Sequence, residues 1–318
     1  MNSSNYKILV TGGAGYIGSH TSVKLLEEGF SIVSIDNLSN SSINVLNRIK
    51  ELTNMNFDFI EGDIRDKRLL RKIFKQHKID AVIHFAGLKA VGESEKKPLN
   101  YYENNINGSI ALLNEMDYAN VNCLVFSSSA TVYGEPSIPK CNEDTKLSPR
   151  NIYGQTKLIV ENILTTLKQI QPKWKIVNLR YFNPIGAHPS GLIGEDPSGE
   201  PNNLMPYISQ VAIGKRDKLF IFGDDYNTTD GSGKRDYIHI QDLADGHIAA
   251  LKKLLQGSPL KININLGTGK SYSVFEVINA FEKASSKRIP FEIIERRKGD
   301  IAEIYADISY ANKNLGWS

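Results

Sequence analysis

Short apolar runs alternate with longer amphipathic stretches along the first half of the chain. The amphipathic stretches predict helices at His20–Glu28, Lys67–His77, Leu99–Ala119 and Ile152–Gln169. The apolar runs predict β-strands at Lys7–Thr11, Ser31–Ile35, Phe57–Glu61, Asp80–Ala86, Leu124–Ser127 and Lys175–Leu179. Because alternating strands and helices need crossover connections, this order predicts an α/β fold with a parallel sheet.

The pattern changes at about Asn183. Residues 183–203 contain four prolines and four glycines with little periodicity, and this segment is too long for an ordinary connection. We interpret it as a functional loop or the start of a second domain, and divide the chain into 1–182 and 183–318. Residues near 236–266 are expected to pack back on the first domain. The elements predicted after the loop are helices at Pro206–Ile213, Leu243–Leu255 and Val274–Lys283, and strands at Leu219–Phe222, Ile238–Ile240, Asn263–Leu266 and Phe291–Ile294.

Charge and composition exclude several classes of protein. The 318 residues carry 38 basic and 35 acidic side chains, a net charge of +3, which is too balanced for a nucleic-acid-binding face. The basic residues between Lys67 and Lys78 are interpreted as a solvated helix face. Cys123 and Cys141 are too few for a disulfide framework or a four-thiolate zinc site, and no metal site is expected. The short polar start, and the lack of an apolar run of about 18 residues, lead us to expect a cytoplasmic protein.

A glycine-rich turn follows the first strand. Gly12, Gly15 and Gly18 form a G-x-x-G-x-x-G pattern between that strand and a helix. Glycine permits the positive φ that such a turn needs and lets the backbone approach a pyrophosphate closely. The free N–H groups and the dipole of the following helix favour a phosphate at its N-terminus. In this position the pattern predicts dinucleotide binding by a Rossmann-type doubly wound parallel sheet.

Asp36 lies at the end of the second strand, eighteen residues after Gly18. A carboxylate there can accept hydrogen bonds from the adenosine ribose hydroxyls. It would also repel a 2′-phosphate, so we predict NAD rather than NADP as the cofactor. Asp63 follows the third strand. It either contacts the edge of the adenine ring or simply stabilises a turn.

Tyr153 and Lys157 stand four residues apart, on one face of a predicted helix. A free phenol, with a pKa of about 10, is a poor base at neutral pH, but a nearby ammonium and a cationic nicotinamide both favour the phenolate. By itself the pair is more typical of an exposed helix surface. The fifth strand, however, ends in the serines 127–129, at the carboxyl edge of the sheet where ligands collect. A serine there can hydrogen-bond the same substrate oxygen that Tyr153 deprotonates.

Together, the glycine loop, the serine cluster and the Tyr-x-x-x-Lys pair resemble the extended short-chain dehydrogenase/reductase family. Further blocks resemble the UDP-glucose (UDP-galactose) 4-epimerase family within it, and span nearly the whole chain: His84–Ser94, Ser127–Gly134, Arg180–Pro184, Pro201–Tyr207 and Arg235–His239. The resemblance implies an NAD-binding Rossmann domain at 1–182 and a smaller α/β domain at 183–318 that binds the UDP-sugar. It also implies a homodimer that pairs the helices near Leu99–Ala119 and Ile152–Gln169.

The resemblance further implies a reaction. The enzyme inverts C4 of UDP-galactose or UDP-glucose through a transient 4-keto sugar, and NAD is reused in each cycle. Tyr153 is then the base and acid at O4, Ser129 assists it, and Lys157 lowers the tyrosine pKa and holds the nicotinamide ribose. The implied cofactor contacts are Gly12, Gly15, Tyr16, Ile17, Gly18, Asp36, Asn37, Asp63, Ile64, Phe85, Ala86, Lys89 and Asn104, with Tyr153 and Lys157. The implied substrate contacts are Ser129, Tyr153, Asn183, Asn203, Leu204, Phe222, Arg235, Arg297 and Asp300.

Several alternatives stay open. Taken alone, Arg297 is more typical of a solvated charge run, and Arg235 of a surface pair with Asp236. A sugar-nucleotide 4,6-dehydratase shares the fold, NAD and the Tyr/Lys pair, but also needs an acid and a base beside the serine, where residues 130–132 carry no carboxylate. A non-catalytic NAD-binding sensor would keep the glycine loop but tend to lose the Tyr/Lys pair.

Substrate range is also left open. In the family, the position of Ile304 gates the acceptance of N-acetylated sugars. Isoleucine is intermediate in size there, so side activity on UDP-GlcNAc and UDP-GalNAc is undecided. Members of the family usually continue past the position of Ser318 with a closing amphipathic segment.

Overall fold

The computed structural model describes residues 3–197, 199, 201–297 and 299–318. The strands are β1 Lys7–Thr11, β2 Ser31–Asp36, β3 Asp58–Glu61, β4 Ala81–His84, β5 Cys123–Ser129, β6 Lys140–Cys141, β7 Lys175–Tyr181, β8 Asn183–Ile185, β9 Leu219–Phe222, β10 Lys234–Arg235, β11 Tyr237–His239, β12 Asn263–Leu266, β13 Tyr272–Ser273, β14 Phe291–Ile294 and β15 Glu303–Ala306. The α-helices are α1 Tyr16–Glu27, α2 Asn44–Thr53, α3 Lys67–Gln76, α4 Val91–Lys96, α5 Pro98–Tyr101, α6 Gly108–Tyr118, α7 Ile152–Ile170, α8 Leu204–Ala212, α9 Ile240–Leu255, α10 Val274–Ser285 and α11 Ser309–Leu315.

Parallel strands form the central sheet, in the order β12-β7-β5-β4-β1-β2-β3. From β1 the chain first adds β2 and β3 on one side, and then β4, β5 and β7 on the other. This confirms the predicted Rossmann-type doubly wound sheet and places a crevice at the carboxyl ends of β1 and β4, where the strand order reverses. The edge strand β12 pairs Asn263–Leu266 with Asn178–Tyr181 of β7.

Both faces of this sheet are covered. On β1, Ile8 and Val10 pack in an apolar cluster that includes Leu251 of α9, while Leu9 packs in a second cluster that includes Leu164 of α7. All five side chains are buried. Burying one such side chain contributes roughly 1.5–3 kcal/mol, which explains why the middle of β1 is apolar at consecutive positions rather than at alternate ones.

A smaller assembly follows β8. Strands β9 and β14 pair in parallel, and their apolar side chains form a core with α8 and α10 that includes Ile208, Ile221 and Ile278. Strands β13, β10, β15 and β6 form a separate four-stranded sheet, so residues 140–141 of the first half pair with residues of the second.

Two helix predictions need correction. Helix α1 begins at Tyr16 rather than His20, because Gly15 occupies the N-cap position and the glycine turn leads directly into the helix. The helix predicted at Leu99–Ala119 is interrupted by a π-helical segment at Tyr102–Asn107. Such segments often occur at functional sites, and this one carries side chains of the site described below. Among the described residues, no helix is both long enough and apolar enough to span a membrane.

Candidate active site

The turn between β1 and α1 leaves no room for side chains at Gly12 and Gly18. Gly12 adopts a φ of +72°, and a Cβ there would lie 2.7 Å from the backbone nitrogen of Ala86. A Cβ at Gly18 would overlap the carbonyl oxygen of Gly12. Helix α1 then starts without a side-chain cap and without an acidic residue in its first turn. A close backbone approach and uncapped N–H groups are the features that a pyrophosphate requires, so these residues fit a dinucleotide.

Asp36 connects the end of β2 to this turn. One carboxylate oxygen accepts a hydrogen bond from the backbone N–H of Ala14 at 3.0 Å. The other accepts from the N–H of Leu38 at 2.9 Å and from the hydroxyl of Ser41 at 3.0 Å. The carboxylate therefore lies beside the glycine turn, as its spacing from Gly18 predicts. When ionised, it accepts hydrogen bonds but cannot donate them.

Asp63 is held by its own neighbours. Arg65 donates to it from Nε at 2.9 Å and from Nη2 at 2.7 Å, and the Asn37 amide donates at 3.1 Å. Arg65 lowers the pKa of Asp63 to about 2. The N–H of Arg65 also bonds to Asp63, which makes a local turn, while the adjacent Ile64 is buried in the core beneath α6. Both interpretations of Asp63 therefore stay open.

The loop after β4 packs against the glycine turn. The N–H groups of Phe85 and Ala86 donate to the carbonyl oxygen of Thr11 at 3.0 and 3.1 Å. The following Leu88 is held at both its N–H and its carbonyl oxygen by the side chain of Asn105, at 2.8 and 3.0 Å. Asn105 is buried in the π-helical segment, whereas the adjacent Asn104 is only half-buried. The sequence analysis missed Asn105, and only its place beside Asn104 offered a signal.

Several other predicted contacts surround this loop. Ile17 is half-buried against the apolar cluster beneath α1. The Tyr16 hydroxyl donates to the carbonyl oxygen of Gly186 at 2.7 Å. Lys89 donates to Glu195, a residue of the long loop after β8, at 2.8 Å. The side of the site formed by residues 12–89 thus contacts the segment that follows β8.

The start of α7 positions Tyr153. Asn151 is the N-cap residue, and its side chain accepts from the N–H of Gly154 at 2.7 Å. Two residues of α4 accept from the next free donors: Glu95 from Ile152 at 2.9 Å, and Ser94 from Tyr153 at 3.2 Å. Because the first N–H groups of a helix have no partner within it, these bonds determine where α7 begins. Ser94 ends one of the sequence blocks named above, but nothing in the local sequence pointed to the contact of Ser94 or Glu95 with α7.

Ser129 ends β5 with its hydroxyl oriented by Thr131. The Ser129 oxygen accepts from the N–H of Thr131 at 3.2 Å and from the Thr131 hydroxyl at 2.9 Å. A hydroxyl has two lone pairs and one hydrogen, so these bonds leave its hydrogen free to be donated. Tyr153 is near enough for Ser129 to favour its phenolate.

The protonation of Tyr153 and Lys157 is governed mainly by burial. Burial raises the pKa of Tyr153 to about 12, although Ser129 acts in the opposite direction. Burial lowers the pKa of Lys157 to about 8, while the charge of Glu161 raises it. The Lys157 ammonium donates to the carbonyl oxygen of Ser127 at 2.7 Å and lies 5.9 Å from the centre of the Tyr153 ring. The protein groups alone therefore keep Tyr153 protonated at neutral pH, and the cationic nicotinamide is the remaining charge that favours the phenolate.

Glu161 continues the helix face of Tyr153 and Lys157 by one further turn. Its carboxylate, 2% exposed, pairs with the guanidinium of Arg180, 1% exposed, at 2.6 Å. It also accepts from the hydroxyl of Ser128 at 2.5 Å. The sequence analysis missed this pair, although an acid four residues after Lys157 was the available signal.

The second half of the chain brings two arginines together. Asp300 lies 3.6 Å from Nη2 of Arg235 and 3.4 Å from Nε of Arg297. The Arg297 guanidinium lies 4.1 Å from the centre of the Phe222 ring. Planar guanidiniums suit a diphosphate, because they can donate two parallel hydrogen bonds. The buried hydroxyl of the nearby Tyr226 has no hydrogen-bond partner among the described residues. The sequence analysis did not identify this residue.

The remaining predicted substrate residues lie on β8 and α8. The N–H of Asn183, the first residue of β8, donates to the carbonyl oxygen of Asp236 at 2.9 Å. Asn203 is the N-cap residue of α8, and Leu204 is its first residue. The Asn203 amide donates to Glu195 at 2.7 Å. The same carboxylate that binds Lys89 therefore also binds a residue of this second set.

Comparison with known proteins agrees with this geometry. Residues 8–267 match the NAD dependent epimerase/dehydratase family. A UDP-glucose 4-epimerase of Dictyostelium discoideum is 56% identical over 311 residues, covering 98% of this chain and 90% of the relative. One of Bacillus subtilis is 55% identical over 310 residues, covering 98% and 91%. The crystal structure of UDP-glucose 4-epimerase from Bifidobacterium longum in complex with NAD+ and UDP is 49% identical and superposes with a TM-score of 0.94, covering 98% of this chain and 93% of that one. The chain therefore belongs to the NAD dependent epimerase/dehydratase family, within which its relatives place it among the UDP-glucose 4-epimerases.

Proposed function

We propose that this protein interconverts UDP-galactose and UDP-glucose by inverting C4 through a transient 4-keto sugar, with a tightly held NAD. The observation that carries the proposal is that Ser129, Tyr153 and Lys157 lie together at the carboxyl end of β5. The Lys157 ammonium is also close to Gly87, in the loop after β4 that packs against the glycine turn. The Bifidobacterium longum enzyme, whose crystal structure contains NAD+ and UDP, superposes over nearly the whole chain, which supports the same ligands here.

Each residue of the site has a role in this proposal. NAD, when bound, would supply reversible hydride transfer at C4 of the sugar. Tyr153 removes the proton of the sugar O4 as base and returns it as acid. Ser129 donates its free hydrogen to the same oxygen, and Lys157 holds the nicotinamide ribose. The backbone at Gly12, Gly15 and Gly18 binds the pyrophosphate, and Asp36 accepts from the adenosine ribose hydroxyls. The other cofactor contacts named from the sequence hold the rest of the dinucleotide.

The substrate is held by the second half of the chain in this proposal. Arg235 and Arg297 bind the diphosphate, with Asp300 setting their orientation and Phe222 supporting Arg297. Asn183, Asn203 and Leu204 complete the UDP-sugar site. We retain residues 1–182 and 183–318 as the two domains, with the position of β12 beside β7 supporting the return of residues 236–266 to the first.

The test incubates the purified protein with UDP-galactose and no added cofactor. We expect UDP-glucose to form without net accumulation of reduced nicotinamide, because NAD is regenerated within each turnover. Steady accumulation of reduced nicotinamide would instead identify a net dehydrogenase, and a 4-keto-6-deoxy product a dehydratase. Parallel incubations with UDP-GlcNAc and UDP-GalNAc decide the substrate range left open at Ile304.

Cofactor choice gives a second test. Replacing Asp36 with asparagine removes the charge that repels a 2′-phosphate, while the amide oxygen can still accept two of the three bonds made by the carboxylate, those from Leu38 and Ser41. We expect the preference of the apoprotein for NAD over NADP to fall by about tenfold, the equivalent of about 1.4 kcal/mol. Binding of NADH and NADPH, followed by fluorescence, measures it. Equal NAD and NADP affinities in the unaltered protein would show that Asp36 does not set this preference.

We also propose a homodimer and a cytoplasmic location. Helix α7 has an apolar groove lined in part by Ile159, Ile163 and Ile170, and Ile170 is largely exposed. Leu99 of α5 is also exposed. These residues support pairing of the two helical regions across a two-fold axis. Cys123 and Cys141 are both buried and unpaired, which supports a reducing compartment.

A further inference from the structure

Glu195 lies between the two sides of the site. Its side chain is 9% exposed, on the segment 186–197 that follows β8. One carboxylate oxygen accepts two hydrogen bonds, from the Lys89 ammonium at 2.8 Å and from the Asn203 amide at 2.7 Å. Lys89 belongs to the loop after β4, and Asn203 to the start of α8. A single anion thus joins a residue of the proposed cofactor side to one of the proposed substrate side.

The Lys89 end of this link lies beside the dinucleotide turn. Asn105 holds Leu88, the residue before Lys89, at both backbone groups. The Lys89 ammonium lies 6.0 Å from the centre of the Tyr16 ring, in the first turn of α1. Burial, and after it the charge of Glu195, raises the pKa of Tyr16. The Glu195 carboxylate is therefore part of the electrostatic surroundings of that turn.

At the other end of this link, the side chain of Asn203 does not cap the helix that it begins. An asparagine at a helix N-cap ordinarily accepts a hydrogen bond from the N–H of the second or third helical residue. Asn203 occupies the N-cap of α8 with φ −97° and ψ 150°, but its side chain makes no capping bond. It instead donates to Glu195. The orientation of this amide is consequently set by Glu195 rather than by the helix that it begins.

We propose that Glu195 is a positioning residue, which holds Lys89 and Asn203 in one geometry and thereby couples NAD retention to UDP-sugar binding. This inference rests on the proposed function and adds a residue that none of the sequence motifs contains. Glu195 acts through the two residues that it binds. Its loss should therefore weaken ligand binding and leave the chemical step nearly unchanged.

The test compares Glu195→Ala and Glu195→Gln in the full chain with a matched control, Asp196→Asn. The control removes the same charge from the neighbouring, exposed residue of the same segment. For Glu195→Ala we expect KM for UDP-galactose to rise about tenfold, the scale of one charge-assisted hydrogen bond, with little change in kcat. NAD should also be lost faster on dialysis. Glu195→Gln keeps an acceptor for Asn203 but loses the ion pair with Lys89, so KM should recover while NAD loss stays fast.

Two results would overturn the proposal. One is a Glu195→Ala protein whose KM and NAD release match those of Asp196→Asn. The other is a fall in kcat per NAD-loaded molecule with KM unchanged, because it would place Glu195 in the chemical step. Calorimetric titration with UDP and the NAD content of the purified protein require no turnover. If the unaltered protein fails to epimerise UDP-galactose, these two readouts still decide the coupling separately from the proposed function.

Discussion

Replacing Tyr153 with phenylalanine is expected to lower kcat for UDP-galactose epimerisation by at least ~10²-fold, the low end for removal of a positioned acid or base. The substitution removes only the hydroxyl, so the ring keeps its place on α7 near Lys157. Steady-state kinetics measures the loss. The proton of the sugar O4 then has no acceptor at the right position, so kcat falls. Because the ring stays in place, KM and NAD content should change much less than kcat.

A matched control separates the loss of the Tyr153 hydroxyl from any general effect of replacing a tyrosine with phenylalanine. Tyr118 is 72% exposed on α6 and takes no part in the proposed site, so Tyr118→Phe should keep full turnover. Retention of full epimerase activity by Tyr153→Phe would remove Tyr153 from the mechanism. The proton would then have to be accepted by another group, with Ser129 the first to examine.

Replacing Glu161 with glutamine is expected to cost about 3–5 kcal/mol of unfolding free energy, because it leaves the buried guanidinium of Arg180 without its counter-charge. The amide is nearly the same size as the carboxylate, so the loss reports charge rather than packing. Denaturant-induced unfolding measures it. Adding Arg180→Met to this variant should recover much of the stability, since removing both charges of a buried pair is often nearly neutral.

The exposed pair of Lys173 and Asp117 provides the comparison. Their ammonium and carboxylate lie 2.9 Å apart, but both side chains are nearly half exposed. Asp117→Asn should therefore cost about 0–1 kcal/mol. If Glu161→Gln costs no more than that, the buried ion pair with Arg180 does not stabilise the fold. The kcat of Glu161→Gln is of separate interest, because the charge of Glu161 raises the pKa of Lys157.

Features that depend on neighbouring residues in the chain were predictable from the sequence. Apolar runs and helical periodicity depend on local spacing, so they indicated the central strands and the longer helices. Gly12 and Gly18 were predictable for the same reason, because a tight turn into a helix has a local sequence pattern. The very short strands, such as β6 and β10, have no periodicity of their own. They exist because distant segments supply their hydrogen-bonding partners.

The sequence by itself thus indicated the parallel α/β fold and the dinucleotide turn, and it proposed Ser129, Tyr153 and Lys157 as the catalytic residues. Only the tertiary structure decided how these groups are held. Ser94 and Glu95 bind the start of α7 across more than fifty residues of chain, and Glu195 bridges two segments more than a hundred residues apart. It also decided the pKa shifts of Tyr153 and Lys157, because desolvation depends on everything packed around a side chain. At Tyr153 desolvation outweighs the hydrogen bond with Ser129, and at Lys157 it outweighs the charge of Glu161.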